Sequence, residues 1–111
     1  MSEVYEFKQE EGLFVTTVCG EKFAFKKWTW GEKNSLGSEC TRIDPITNVV
    51  SFDSIGFNER MFLRTILYHD GSKYVPFTIE EIRGMDSQLG DRLFRLTQKL
   101  NLVSQIETKN L

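Results

Sequence analysis

The residues best suited to chemistry in this 111-residue chain are its single histidine and its two cysteines. A zinc site needs three or four converging ligands, and the sequence groups no such set around His69. Because His69 is followed by Asp70-Gly71, we interpret it as an exposed turn residue. Cys19 and Cys40 lie in no CxxC motif, so neither a zinc ribbon nor a disulfide scaffold is predicted. A single disulfide, or a nucleophilic pair of either cysteine with His69, stays open because both depend on spatial proximity.

The adjacent carboxylates Glu80 and Glu81 are the next candidates, for general acid–base work. They follow Thr78 as a Thr-x-x-Glu capping box, and acidic groups there suit the positive end of a helix dipole. The glycines at 84 and 90 do not have the spacing of a phosphate-binding loop. The sequence therefore predicts a non-enzymatic protein with no catalytic residue, no metal and no cofactor.

Composition and charge narrow the possible partners. The chain has 14 basic and 16 acidic residues, a net charge of −2, and 40% hydrophobic residues, which suits one globular domain. A generally basic nucleic-acid binder is excluded, although Arg92, Arg95 and Lys99 form a helical stripe that is either a solvated face or a phosphate track. No apolar run is long enough to span a membrane and no signal peptide opens the chain, so we expect a cytoplasmic protein.

Strand patterns dominate the first half of the chain. Residues 13–18 are rich in β-branched side chains, and residues 22–26 alternate lysine with phenylalanine, so with Gly20 between them they predict a β-hairpin. Residues 39–43 and 48–52 flank Asp44-Pro45, which predicts a second hairpin. Between the hairpins, the Thr29–Glu32 capping box predicts a short helix from Trp30 to about Leu36, ending near Gly37.

Helical patterns dominate the second half. We predict helices over residues 59–68 with Asn58 as the cap, from 79 to about 84, and over 87–103 with Asp86 as the cap. Residues 73–76 are predicted to be an extended link. The expected fold is α+β, with two hairpins forming a small antiparallel sheet packed with three to four helices. Residues 1–12 are expected to form a charged arm, in which Val4, Tyr5 and Phe7 either make an edge strand or stay unpaired. Residues 13–103 form the domain and 104–111 a polar tail.

Two helices differ in how their apolar residues are arranged. On the helix over 87–103 they form one stripe, which indicates packing on a sheet or, alternatively, a dimer seam; they are Leu89, Leu93, Leu96, Leu100 and Val103. On the helix over 59–68 they lie almost all around, apart from Arg60 and Arg64. That helix is therefore either central or in contact with another subunit, and Met61, Leu63 and Leu67 are its candidate contact residues.

Two tryptophans bracket Thr29 where strand changes to helix. In an extended chain Trp28 and Trp30 point to opposite sides, so one of them should be accessible. Tryptophan is favoured in interfaces because it buries a large area at a small cost in rotamer entropy. The two tryptophans are therefore either core packing or interface anchors, and we include both as candidate partner-binding residues.

Several of these segments together resemble the tail assembly chaperones of long-tailed bacteriophages. They are Phe25-Lys26-Lys27-Trp28-Thr29-Trp30-Gly31-Glu32-Lys33-Asn34, Ile43-Asp44-Pro45 with Val50-Ser51-Phe52-Asp53, Asn58 before an apolar helix, Phe77-Thr78-Ile79-Glu80-Glu81-Ile82, Gly90-Asp91-Arg92-Leu93, and Leu100-Asn101. The resemblance implies a small α+β protein without an active site, working in the host cytoplasm. It also implies an apolar tape measure or tail tube-like protein as the partner, self-association, and often a longer frameshifted product. The alternatives are a protein–protein adaptor that docks through Trp28 and Trp30, and a regulatory nucleic-acid binder that uses Arg92, Arg95 and Lys99.

Overall fold

The computed structural model describes residues 7–101, and its elements confirm the α+β class. In chain order they are β1 (Lys8–Glu10), β2 (Leu13–Val18), β3 (Glu21–Phe25), α1 (Trp30–Glu39), β4 (Thr41–Ile43), β5 (Val50–Phe52), α2 (Ser54–Thr65), β6 (Ile66–His69), β7 (Tyr74–Pro76), α3 (Ile79–Arg83) and α4 (Ser87–Asn101).

Five of the strands described within residues 7–101 form one antiparallel sheet in the order β1-β2-β3-β6-β7. Two-residue turns join the first three strands, and both of their residues have positive φ: Glu11-Gly12 at 50° and 81°, and Cys19-Gly20 at 52° and 81°. This is the type I′ geometry, which matches the twist of the flanking strands. The predicted first hairpin is confirmed as β2 and β3, and Gly20 is the turn residue as expected.

The predicted second hairpin is also confirmed, but it does not join that sheet. β4 and β5 pair only with each other in the described chain, with Thr41 opposite Phe52 and Ile43 opposite Val50. Instead, β6 pairs with β3 of the first hairpin, and β7 pairs with β6. The two hairpins are thus separate structures, one inside the core sheet and one outside it.

The helix predicted over residues 59–68 is wrong at both ends. Asp53, and not Asn58, is the N-cap of α2, and its carboxylate accepts a hydrogen bond of 2.9 Å from the backbone N–H of Gly56. The helix ends at Thr65, after which residues 66–69 form strand β6 beside β3. The extended link over 73–76 is likewise a strand, β7. α1 also differs from expectation, because it continues through Gly37 to Glu39.

The core lies between the large sheet and α4, with α2 beside them. Phe23 and Phe25 from the central strand pack in one buried cluster with Phe62 of α2 and with Leu93 and Leu96 of α4. Leu89 and Leu100 pack against the same cluster, so the α4 stripe lies on the sheet as predicted; Val103 lies outside the described residues.

The N-terminal segment enters the sheet earlier than expected. Residues 8–10, which we predicted to be part of a charged arm, form β1 against β2, and the Phe7 ring lies 5.7 Å from that of Phe25. Val4, Tyr5 and the predicted tail over 104–111 lie outside the described residues.

Candidate protein-binding surface

The β4–β5 hairpin has one polar face and one apolar face. Because directly opposite residues of an antiparallel pair share a face, Ile43, Val50 and Phe52 lie together on one side. Arg42 lies opposite Ser51 on the other side. Each of the three apolar side chains is more than half exposed, although a sheet face of this composition normally packs on a core. We call the exposed side formed by Ile43, Val50 and Phe52, together with the hairpin tip, the apolar face.

Asp44 builds the tip of the hairpin. Its carboxylate accepts hydrogen bonds from the backbone N–H groups of Ile46 at 2.8 Å and Thr47 at 3.2 Å, and these two donors lower the pKa of Asp44. Asn48 has a positive φ of 58°, which returns the chain to β5. This turn holds Ile46 at the tip with 90% of its surface exposed.

The base of the hairpin is fixed to the body by a pair of aromatic rings. Phe52 stands one residue before the N-cap Asp53, and its ring lies 5.4 Å from that of Phe57 in the first turns of α2. This pairing across a helix start is a hydrophobic staple, which sets the angle at which a chain enters a helix. The staple therefore fixes the direction in which β5 leaves the body, and with it the apolar face.

Trp28 contacts both Phe57 of this aromatic pair and Asn101 at the end of α4. Its ring lies 6.4 Å from Phe57, its backbone N–H donates to Asn101 Oδ1 at 2.9 Å, and its indole Nε1–H donates to the Asn101 carbonyl at 3.3 Å. Trp30, at the start of α1, is 80% exposed. The two indoles therefore differ in exposure, as the alternation of an extended chain predicts, and Trp30 is the accessible one.

The predicted contact residues of the apolar helix lie elsewhere. Met61 is fully buried against Leu36 and Cys40, between α1 and α2. Leu67 is not helical: it lies in β6 and is buried with Val15 and Ala24 in the sheet. Only Leu63 keeps partial exposure. We therefore remove Met61 and Leu67 from the candidate surface, because the fold itself covers them.

Asn101 also terminates a buried polar network. Its side-chain amide donates to Thr97 Oγ1 and to the Lys26 carbonyl, both at 3.0 Å. Thr97 in turn donates to Thr65 Oγ1 at 2.6 Å, and Thr65 donates to the Met61 carbonyl at 2.7 Å. The network joins the ends of α2 and α4 to the segment that carries both tryptophans.

The residues considered for chemistry occupy structural positions. His69 ends β6, half-buried, where Nδ1 accepts from the Gly71 N–H at 3.2 Å and the ring packs on Tyr74. Cys19 is exposed in a turn and Cys40 is buried, and both thiols are free. Among residues 7–101 no group of three or more His, Cys, Asp or Glu side chains could hold a metal ion.

Displaced pKa values in the described chain have local structural causes. Hydrogen bonds from Arg83 at 2.7 Å and 3.0 Å lower the pKa of Glu59, which ties α3 to α2. Backbone N–H groups of Lys73 and Ser72 lower the pKa of Asp70 to about 2 in the β6–β7 turn. Both capping boxes are confirmed, and Glu81 bonds the backbone N–H of Thr78 at 2.9 Å, so it serves as a cap.

Apart from the apolar face, the described chain has a shallow groove of about 590 Å³ that Phe77 lines. Tyr68 packs 4.8 Å from Phe77, and burial, together with the nearby Glu81 carboxylate, raises the pKa of the Tyr68 hydroxyl. The charged residues Glu21, Lys22 and Glu81 also line the groove, so its surface is mixed in character.

The basic stripe of α4 does not form a uniform surface. Arg95 and Lys99 are exposed, but Arg92 is half-buried and its Nη1 lies 3.1 Å from Cys19 Sγ. Asp91 stands beside them. This favours the solvated-face interpretation of the stripe over a phosphate track.

The exposed apolar residues of the hairpin are not apparent from the sequence pattern. Ile43, Ile46, Val49, Val50 and Phe52 look like ordinary strand and turn residues. One signal was present: the run around Asp44-Pro45 offers only two short strands, and a two-stranded hairpin cannot bury its own apolar face. Ile55, in the first turn of α2, is also exposed, which the sequence pattern does not reveal either.

No family model, curated protein or solved structure matches this chain. Over residues 7–101, none of the helices combines the length and the apolar character that crossing a bilayer requires.

Proposed function

We propose that this protein is a non-enzymatic assembly chaperone, similar to those of phage tails, that binds an apolar structural partner and keeps it soluble in the cytoplasm during tail assembly. Its partner is a tape measure or tail tube-like protein, and it self-associates while binding. Nucleic acid and membranes are not among the expected partners. The sequence resemblance given above motivates the role, and the apolar face supplies a surface for it.

The apolar face is the observation that carries this proposal. All residues from 41 to 55 are exposed, and apart from the contact of Phe52 with Phe57 the described chain leaves that face open. Complete burial of a fully exposed side chain of this size contributes about 1.5–3 kcal/mol. The side chains of this face are already partly buried, so each contributes a fraction of that, and together they offset part of the cost of association. An exposed apolar patch of this kind marks a protein interaction site.

Coexpression tests the proposal directly. The chain is produced together with a tape measure-type protein that is insoluble when produced alone, and the soluble fraction of that partner is measured. The test variant carries Ile43→Thr, Ile46→Thr and Val50→Thr, which remove apolar surface but retain β-branched residues, and it leaves the Phe52 staple in place. We expect wild type to keep the partner soluble and the triple variant to lose most of that effect.

The matched control changes the other face of the same hairpin, with Arg42→Thr and Ser51→Thr. It should protect the partner as well as wild type does, and circular dichroism should show both variants folded. Equal protection by the triple variant would contradict the proposal.

Trp30 favours a second candidate function, that of a small protein–protein adaptor. An indole with 80% of its surface exposed is a typical interface anchor. Trp30→Ala separates the two, because an adaptor loses its partner through this change alone, whereas the chaperone depends on the hairpin.

A further inference from the structure

The edge strands of the two sheets differ in whether they carry residues that prevent pairing with another chain. At the outer edges of the large sheet, β1 carries Lys8 and Glu10, and β7 ends in Pro76, which has no N–H to donate. Charges and proline are the usual means of preventing a sheet edge from pairing with another chain. β5 has neither, since its residues are Val50, Ser51 and Phe52. Its edge is therefore open to pairing.

The register shows which backbone groups this edge presents. The Asp44 N–H donates to the Val49 carbonyl at 3.0 Å, and the Asp53 N–H donates to the Cys40 carbonyl at 2.8 Å. Hydrogen-bonded pairs alternate along an antiparallel ladder, so Ser51 bonds inward to β4. The backbone N–H and C=O groups of Val50 and Phe52 then point outward, away from β4.

We propose that β5 is the self-association edge of this protein: a second copy adds its own β5 antiparallel to the first, and the two hairpins become one four-stranded sheet. The two-fold axis passes between the two Ser51 residues. Val50 of each copy then lies opposite Phe52 of the other, and their outward groups form four backbone hydrogen bonds. This inference rests on the proposed function, of which self-association is a part, and assigns the surface that carries it.

The charges of the hairpin favour β5 over β4 for this contact. The same two-fold pairing through β4 places Arg42 opposite Arg42 of the second copy, and like charges directly opposite destabilise a pair. Through β5 the central pair is two neutral serines, flanked by aromatic–β-branched pairs, which are favourable.

The small area of the β5–β5 contact determines the affinity of the dimer, and the geometry of the contact determines which surface the dimer presents. A standard interface buries about 800 Å² on each partner, and a three-residue edge buries much less, so the dimer is weak and reversible. The paired sheet places Ile43, Val50 and Phe52 of both copies on one side. Dimerisation therefore doubles the apolar face offered to a partner.

Disulfide trapping captures such a weak dimer. The Ser51→Cys variant is prepared with Cys19→Ser, while the buried Cys40 is retained. At the axis the two residues form a non-hydrogen-bonded pair with Cα atoms about 4.5 Å apart, within the range a disulfide spans. Under mild oxidation we expect most of the Ser51→Cys chain to become a covalent dimer.

The matched control is Arg42→Cys in the same background. It lies on the same polar face, but three inter-strand spacings of about 4.8 Å separate it from its equivalent, so roughly 14 Å prevents a bond. Adding Val50→Pro to Ser51→Cys removes an outward N–H and should reduce trapping severalfold. No trapping at Ser51→Cys, or equal trapping at Arg42→Cys, overturns the β5 edge. Either result leaves the coexpression test of the proposed function unaffected, since that test depends on the apolar side chains.

Discussion

Thr97 is the central hydroxyl of the buried network, because it donates to Thr65 and accepts from Asn101. Thr97→Val preserves the shape of the side chain but removes both hydrogen bonds. We expect the free energy of unfolding to fall by about 1–3 kcal/mol. Urea denaturation of wild type and Thr97→Val measures this change in the free energy of unfolding. The exposed Thr17→Val is the control and should change stability by less than about 0.5 kcal/mol. A Thr97→Val variant as stable as wild type would show that the network contributes nothing net.

Asp70 gives a prediction about pH. Its pKa in the folded protein is lowered from 3.8 to about 2, so folding favours the ionised form. The stabilisation is therefore complete above about pH 4 and is lost as the pH falls through about 2. The difference in unfolding free energy between wild type and Asp70→Asn should be constant near neutrality and shrink over that interval.

Urea titrations at a series of pH values measure this difference. Ser72→Ala removes one donor to the same carboxylate at 3.0 Å, so it should show a smaller effect in the same pH range. A difference that persists unchanged down to pH 2 contradicts the assignment.

The two indoles give a spectroscopic prediction. Trp28→Phe leaves only Trp30, and acrylamide should quench its fluorescence strongly because the ring is exposed. Trp30→Phe leaves Trp28, which is packed on Phe57 and bonded to Asn101, so quenching should be much weaker. Similar quenching constants for the two variants would show that Trp28 is not held in this way.

A glutamate substitution should strongly destabilise the protein at the buried face of α2 but hardly at all at the tip of the β4–β5 hairpin. Met61→Glu buries a carboxylate between α1 and α2 with no partner, so we expect a loss of at least about 4 kcal/mol or complete unfolding. Ile46→Glu, at the exposed tip, should change stability by less than about 0.5 kcal/mol. Thermal melts followed by circular dichroism test both. A folded Met61→Glu variant would place that face of α2 on the surface after all.

Elements fixed by local chemistry could be predicted from the sequence. Gly20 requires a turn, and Thr29 and Thr78 each stand three residues before a glutamate, so the first hairpin and the starts of α1 and α3 follow. Residues 66–69 could not be assigned in this way. Their apolar run suits a helix or a strand equally, and the pairing with β3 that decides it joins residues far apart in sequence.

The candidate site was predictable only in part. Alternation along an extended segment predicted that one of Trp28 and Trp30 is accessible, but not that it is Trp30. Exposure of Ile43 and Val50 could not be predicted, because their strands look like core strands, and only the absence of a covering layer in the described chain makes their side a surface. The burial of Met61 depends on α1 lying against α2, which local sequence does not encode.

On the scale of the whole molecule, stability should be distributed unevenly. β3 has a strand on each side and contributes Phe23 and Phe25 to the core, whereas β4 and β5 contribute no buried residue. In dilute solution, amides of β3 should exchange with solvent only through global unfolding, and those of β4 and β5 should exchange orders of magnitude faster. Hydrogen exchange measured by NMR tests this. Equal protection of the two hairpins in dilute solution would contradict it.

The strand order also has a consequence for synthesis on the ribosome. β1, β2 and β3 are consecutive, so they can pair as soon as they emerge, but the partner on the other side of β3 is β6, about 40 residues further along the chain. At about 5–20 residues per second, roughly 2–8 s of translation separate the two. During that interval β3, which carries Phe23 and Phe25, has no partner strand along one of its edges. The most buried strand of the finished protein is thus the one most exposed to aggregation while the protein is being made.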